Sequence, residues 1–189
     1  MNLLNDKDIR LCLINRLKNQ SVKPKAVIEE LRVHNGNAIA DVVALYKDAH
    51  CFEIKGDNDK IERILNQGKY YDLAFRKITL VTTKRHLEKA LHLAPAYWGI
   101  MIAQESDNEK VTLKHIRKTR INFNFKKDLA LLTLWKSEML ELIEQSNSNV
   151  KNKSRELLAK LISNNQHKAS LSEDICSTLL TRHQQATLT

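Results

Sequence analysis

Two apolar runs, Ala38 to Leu45 and Cys51 to Lys55, stand only five residues apart, and no other feature of the sequence limits the fold as strongly. Runs this short, with Val, Ile and Phe in them, are strands, and so short a connection forces them into an antiparallel hairpin. Upstream, Ala26 to Val33 leads through the turn-forming His34-Asn35-Gly36-Asn37 into the first of these runs. The stretch therefore reads as three antiparallel strands, or as two strands preceded by a short one. With the turn centred near Asp48, Asp41 faces Lys55, Val43 faces Glu53, and the odd-numbered residues share one side.

Helical period brackets the hairpin. Ile9, Leu13, Ile14 and Leu17 make one stripe, with Asp6 as its N-cap, and Ile61, Ile64, Leu65 and Leu73 make another within Asp59 to Phe75. Asp57 and Asp59 cap that second helix. Lys77 to Thr82 (KITLVT) is a strand, Leu87, Ala90, Leu91 and Ala94 mark a helix ended by Pro95, and Gly99 to Ala103 (GIMIA) is a buried strand. The order αβββαβαβ predicts an α/β fold, a mixed central sheet flanked by helices. Lys110 to Phe125 reads as a further hairpin or an extended surface segment. From Lys127 the pattern is wholly helical: one helix through Leu129, Trp135 and Ile143, a polar linker from Gln145 to Asn152, and helices at Ser154 to Ile162 and about Ser172 to Thr181. This predicts two domains, 1–125 and a helical 126–189. Trp98 and Trp135 read as core anchors.

A formal net charge of +9 favours a polyanionic partner. The excess is concentrated where Lys110, Lys114, Arg117, Lys118, Arg120, Lys126 and Lys127 follow one another with no acid between them and with Phe123 and Phe125 interleaved. Such a segment can track phosphates and stack bases, or it can be a solvated basic face. Cys12, Cys51 and Cys176 are odd in number and far apart, which fits a reducing cytosol rather than a disulfide scaffold or a zinc site. The acidic start MNLLNDKDIR lacks the form of a signal peptide and no spanning apolar segment occurs, so a soluble cytoplasmic protein is expected, with no membrane partner. No phosphate-binding glycine loop and no paired Ser or Cys nucleophile is present.

On the predicted hairpin, Glu53 and Lys55 lie two apart and Asp41 is their cross-strand or diagonal neighbour at roughly 7–8 Å. Carboxylates so placed can converge on Mg²⁺ or Mn²⁺, which would polarise a phosphodiester and acidify a bound water while Lys55 orients that water.

These residues carry a resemblance. Glu30, Asp41 and Glu53-Ile54-Lys55 look like the motif of the PD-(D/E)xK nuclease superfamily, with Ala40 where proline is usual. More narrowly, IEEL, ADVVAL, FEIKGDND, ERILNQGKYYD, KITLVT, HLEKAL and YWGIMIA, over about Val27 to Ala103, resemble the bacterial sce7726 family, whose pattern the later LWKSEMLELI also fits. The resemblance implies a restriction-endonuclease-like αβββαβ core with a C-terminal helical domain. It further implies a magnesium-dependent nuclease acting on nucleic acid, DNA in the first instance. Asp41, Glu53 and the Ile54 carbonyl would bind metal, Lys55 would be the base or charge stabiliser, Glu30 or the adjacent Glu29 the auxiliary acid, and Gln67 and Tyr71 a supporting QxxxY pair in which Tyr70 competes with Tyr71. Lys114, Arg117, Lys118 and Arg120 would contact the nucleic acid. The competing expectation is a non-catalytic nucleic-acid-binding or protein-interaction module that keeps the nuclease fold. Either could work as a homodimer or within a larger defence or mobile-element complex.

Overall fold

The computed structural model describes residues 3–106, 110–143 and 150–188. Six strands form one sheet in chain order: β1 (Ala26–Val33), β2 (Ala38–Leu45), β3 (Ala49–Lys55), β4 (Lys77–Thr83), β5 (Gly99–Glu105) and β6 (Val111–Arg117). The first three pair antiparallel, β3, β4 and β5 run parallel, and β6 returns antiparallel on β5. Parallel neighbours need a crossover rather than a tight turn, and the chain supplies α2 (Ile64–Ala74) and α3 (Leu87–Leu93). Ile64, Tyr71, Ala90 and Ala94 from these crossovers enter one core cluster, so both helices cover the same face. The other face is covered by α1 (Asp6–Asn19), whose Ile9, Leu13 and Leu17 pack on Val42, Phe52, Ile54 and Met101. A sheet buried on both faces has no side to keep polar, which is why β4 and β5 read as continuous apolar runs.

The C-terminal region is helical: α4 (Lys127–Leu131), α5 (Lys136–Leu142), α6 (Arg155–Asn164) and α7 (Lys168–Ala186). Leu131, Leu158, Leu171, Ile175 and Leu179 join the cluster that holds Leu31, Val43 and Cys51, so these helices extend the layer begun by α2. The molecule is thus a mixed α/β protein with a helical C-terminal region, as the periodicities predict. Among the described residues no helix is long and apolar enough to cross a membrane.

Several local expectations are corrected. The α1 cap is Asn5, whose side chain accepts the Asp8 N–H at 3.0 Å, and Asp6 is instead in the first turn, paired with Arg10. Of the two forms expected for Lys110 to Phe125, a hairpin within the segment is absent: it is a single edge strand followed by an extended segment, the second of the alternatives. The helix expected from Leu129 to Ile143 is two short helices. Between them the backbone tightens, with Leu134 N–H donating to the Leu131 carbonyl at 2.9 Å and the Thr133 hydroxyl to that of Ala130 at 2.8 Å. The Arg155 guanidinium then takes the freed carbonyls of Leu132 and Leu134 at 2.8 and 2.5 Å. That break turns Trp135 outward: it is 59% exposed, with the Arg182 guanidinium 4.3 Å from its ring centre, and it is no core anchor. Trp98 is one, at 1%. The last helix begins earlier and ends later than expected, and most of the expected linker, residues 145–149, lies outside the described residues.

Asp57 and Asp59 do not cap α2. Asp57 accepts the Leu4 N–H at 2.8 Å and the Thr83 hydroxyl at 2.6 Å and so ties the end of β3 to the N-terminal segment, while Asp59 accepts the Gly56 N–H at 2.7 Å and closes the turn between them. Gly56 sits inside this knot, where an added Cβ would stand 2.7 Å from the Leu4 carbonyl oxygen. Gly56→Ala must push a backbone group aside, and we expect it to cost about 1–3 kcal/mol in chemical denaturation. An unchanged midpoint would show that the N-terminal segment is not held there.

Candidate functional site

The β2–β3 loop is Tyr46 to Asp48, with Leu45 opposite Ala49 and Val43 opposite Cys51. This turn is centred one residue earlier than Asp48, so the continued register sets Asp41 level with Glu53 rather than with Lys55. Odd still meets odd, and the expected set is still brought together. The side-chain alternation slips at this point, because Ile28 and Leu31 both pack into the same core, as do Ala40 and Val43. Glu30 takes up the irregularity with a φ of 54°, a left-handed conformation that a glutamate seldom adopts. Asp41 turns toward β3, where its Oδ2 accepts the Ile54 N–H at 2.7 Å in place of a ladder bond.

Glu53 is fully buried and Lys55 nearly so, and the Lys55 ammonium is paired with Glu53 Oε1 while donating to the Ile54 carbonyl at 3.0 Å. Burial, then the Asp41 charge, push the Glu53 carboxyl up to about 7 against the pull of Lys55. Burial also raises Asp41. From α1, Arg10 reaches Asp6 at 3.0 Å, Glu30 at 3.2 Å, Glu29 at 3.6 Å and Asp41 at 3.7 Å. Burial alone would lower the Arg10 pKa, but the Asp6 and Asp41 charges outweigh it and hold the pKa above the ordinary value. Tyr71 lies beneath the sheet and donates to the Ile39 carbonyl at 2.6 Å, and its pKa is raised by burial and by Glu53. Gln67 Oε1 and Glu53 Oε2 are buried without a hydrogen-bond partner. Tyr70, one residue earlier, instead packs its ring 5.1 Å from that of His34.

Asp41, Glu53 and the Ile54 carbonyl, the expected Mg²⁺ or Mn²⁺ ligands, lie together at this end of β2 and β3. No group of three or more His, Cys, Asp or Glu side chains among the described residues is arranged to hold a metal ion. At each expected ligand a donor of the chain itself is in place: a backbone N–H on Asp41, the Lys55 ammonium on Glu53 and on the Ile54 oxygen. Arg10 and Lys55 thus stand among five carboxylates, those of Asp6, Glu29, Glu30, Asp41 and Glu53.

The basic run has the opposite character. From β6 the chain continues across the ends of β5 and β4, fixed by backbone bonds from Arg120 N–H to the Tyr97 carbonyl, Asn122 N–H to that of Arg76, and Lys126 N–H to that of Leu73, at 2.9–3.0 Å. The Asn122 side chain, 3% exposed, donates to the Asp72 and Phe75 carbonyls at the end of α2, and Phe125 is inserted in the core. Held at these inward points, the ribbon turns Phe123 out, 84% exposed, among the exposed Lys118, Arg120 and Lys126. Lys114 is exposed on β6. Among the described residues none of these four cations has an ion-pair partner. Lys168, distant in sequence, joins them by reaching the Phe123 carbonyl at 3.4 Å, a neighbour that no local pattern could reveal.

Arg117 differs from the other three expected nucleic-acid contacts. Its guanidinium donates to the carbonyls of Trp98 at 2.8 Å, Pro95 at 2.8 Å and Ala94 at 3.1 Å, and so clamps the end of α3. Arg117→Gln is expected to cost about 2 kcal/mol of stability, since the carbonyls lose a charged donor. Urea denaturation beside a DNA titration checks this: a loss of affinity with no loss of stability would return Arg117 to the binding surface.

Comparison with known proteins fixes the family. The model of the bacteriophage P4 protein cII family matches residues 1–187. Protein cII of Enterobacteria phage P4 is 29% identical over 144 residues, covering 76% of this chain and 54% of that protein, so the chain spans about half the length of this curated relative. No solved structure matches the chain. This match replaces the sce7726 resemblance, and the nuclease and hydrolase activity expected from that resemblance falls with it. The chain belongs to the bacteriophage P4 protein cII family.

Proposed function

We propose that the chain is a nucleic-acid-binding module, directed to DNA, that engages its partner through Lys114, Lys118, Arg120, Phe123 and Lys126. The observation that carries the reading is the contrast between two charged groups. Around Asp41, Glu53 and Lys55 the two cations, Arg10 and Lys55, are each taken up by carboxylates, whereas along the ribbon the cations stand unmatched beside an exposed aromatic ring. Unmatched cations attract a phosphate backbone by releasing its counterions, and an exposed phenyl face offers a stacking platform to an unpaired base. In this reading Asp41, Glu53, Lys55, Tyr71 and Arg10 hold the β2–β3 end together and take no part in turnover. We further read the β1–β5 arrangement as a restriction-endonuclease-like core. The support is an antiparallel hairpin joined to parallel strands, with an acid on β2 beside the Glu53-x-Lys55 pair on β3.

The test is fluorescence anisotropy with labelled single-stranded and duplex DNA between about 50 and 200 mM salt. Binding that weakens steeply with salt supports the proposal, and no binding at the lowest salt refutes it. A preference for the single strand that Phe123→Ala removes assigns the ring to base stacking.

A further inference from the structure

On the α1 face of the sheet lies a cavity of about 610 Å³, on the opposite side from the C-terminal helices. This volume is in the range of small-ligand sites. Its apolar wall is made by Leu13, Phe52 and Met101. His50 stacks on Phe52, ring centres 4.2 Å apart and planes 22° from parallel, which gives the cavity a flat aromatic side. The polar lining has a single sign. Arg16 and Lys77 contribute full cations, His50, His115, Tyr46 and Gln20 contribute neutral or cationic groups, and no Asp or Glu lines the space.

Those groups are not all spent inside the protein. Arg16 uses one nitrogen on the Leu113 carbonyl at 2.7 Å, and among the described residues Lys77 has no ion pair. His50 is held neutral, its pKa lowered to about 3 by burial and then by Lys77, and its Nε2 meets the Thr79 hydroxyl at 2.8 Å. Burial, then Arg16 and Lys118, also lower His115. A surplus of positive charge at the mouth of an apolar, flat-walled space is a complement in shape and sign to one chemistry.

We propose that this cavity binds a small planar aromatic anion, its ring lying between Leu13, Phe52 and Met101 and its charged group meeting Lys77 and Arg16. The anionic group is a carboxylate or a phosphate, either of which these cations accept in the same way. None of Arg120, Phe123 and Lys126 lines the site, so it stands whether or not that ribbon binds DNA.

The test uses the whole chain with ¹³C-methyl-labelled methionine. Three methionines give a spectrum in which Met101→Leu assigns the cavity signal. Indole-3-acetate and adenosine 5′-monophosphate are titrated as carboxylate and phosphate probes, with indole and adenosine as uncharged counterparts. We expect at least one anion to move the Met101 signal saturably, its uncharged counterpart to bind about tenfold more weakly, and Lys77→Met to weaken the anion by a similar factor. The same titration of a protein with Phe123→Ala and Lys126→Gln should be unaltered, which separates this site from the outer part of the ribbon. Which anion binds identifies the charged group. If neither anion moves the Met101 signal, if the uncharged counterparts bind equally well, or if Lys77→Met leaves affinity unchanged, the proposal is wrong. Lys77 is half-buried at the start of β4, so Lys77→Arg serves as a folded control that should retain binding.

Discussion

Replacing Lys114, Lys118, Arg120 and Lys126 together by glutamine is expected to weaken DNA binding about 1000-fold near physiological salt and to lower the slope of log K against log salt by about 3–4. Each cation that meets a phosphate releases close to one counterion, so four lost contacts remove that many units of salt dependence. The four side chains are exposed and unpaired, hence their removal leaves no buried partner behind and should barely change stability. Circular dichroism and a melting curve alongside the anisotropy titration separate lost contact from lost fold. An unchanged salt slope would mean that the phosphates lie elsewhere. Single substitutions should each give a fraction of the effect, with Arg117→Gln showing instead as a change in stability.

Glu53 is expected to make stability fall as pH rises from about 4.5 to about 7, by an amount on the order of 3 kcal/mol. The sign follows from where the proton is held. Below the ordinary glutamate range both folded and unfolded chains are protonated at this position. As pH rises the unfolded chain ionises first, while the buried carboxyl keeps its proton until near 7, so the folded state binds more protons and loses ground. His50 acts in the reverse sense: with a folded pKa of about 3 against an ordinary 6.5, it stabilises above 6.5 and loses that contribution as pH falls toward 3. Between about 4.5 and 6.5 the two slopes oppose each other. Glu53→Gln should therefore expose a stability that climbs with pH through this window. Glu53→Gln with Lys55→Met, which leaves no buried ammonium unpaired, should show the same slope. Urea unfolding at a series of pH values measures it, and a slope equal to that of the parent chain would show that Glu53 is ionised throughout.

The strand and helix order was legible because a sheet covered on both faces writes its strands as short apolar runs, and amphipathic helices repeat at their own period. The hairpin phase survived a turn misplaced by one residue, since moving its centre from Asp48 to Lys47 changes the pairing sum by two and leaves odd opposite odd. What periodicity could not carry was long-range. The helix from Leu129 to Ile143 has an unbroken apolar pattern, and it is Arg155, from α6, that stabilises the break. Arg117 and Lys118 are adjacent cations in the sequence, but only the course of α3 decides that one is a clamp and the other free. The Asp41, Glu53 and Lys55 set was found from its spacing. Spacing does not reveal that Arg10, from α1, and the Ile54 N–H would meet Asp41.

DNA carrying a photoreactive base, cross-linked to the protein and mapped by mass spectrometry, tests most directly whether the ribbon is the surface that meets nucleic acid. The cross-links are expected on the peptides that span Lys114 to Lys126, with Phe123 as the principal adduct. Cross-links concentrated instead on Glu29, Glu30 and the Asp41 end of β2, with the ribbon unmarked, would contradict the account.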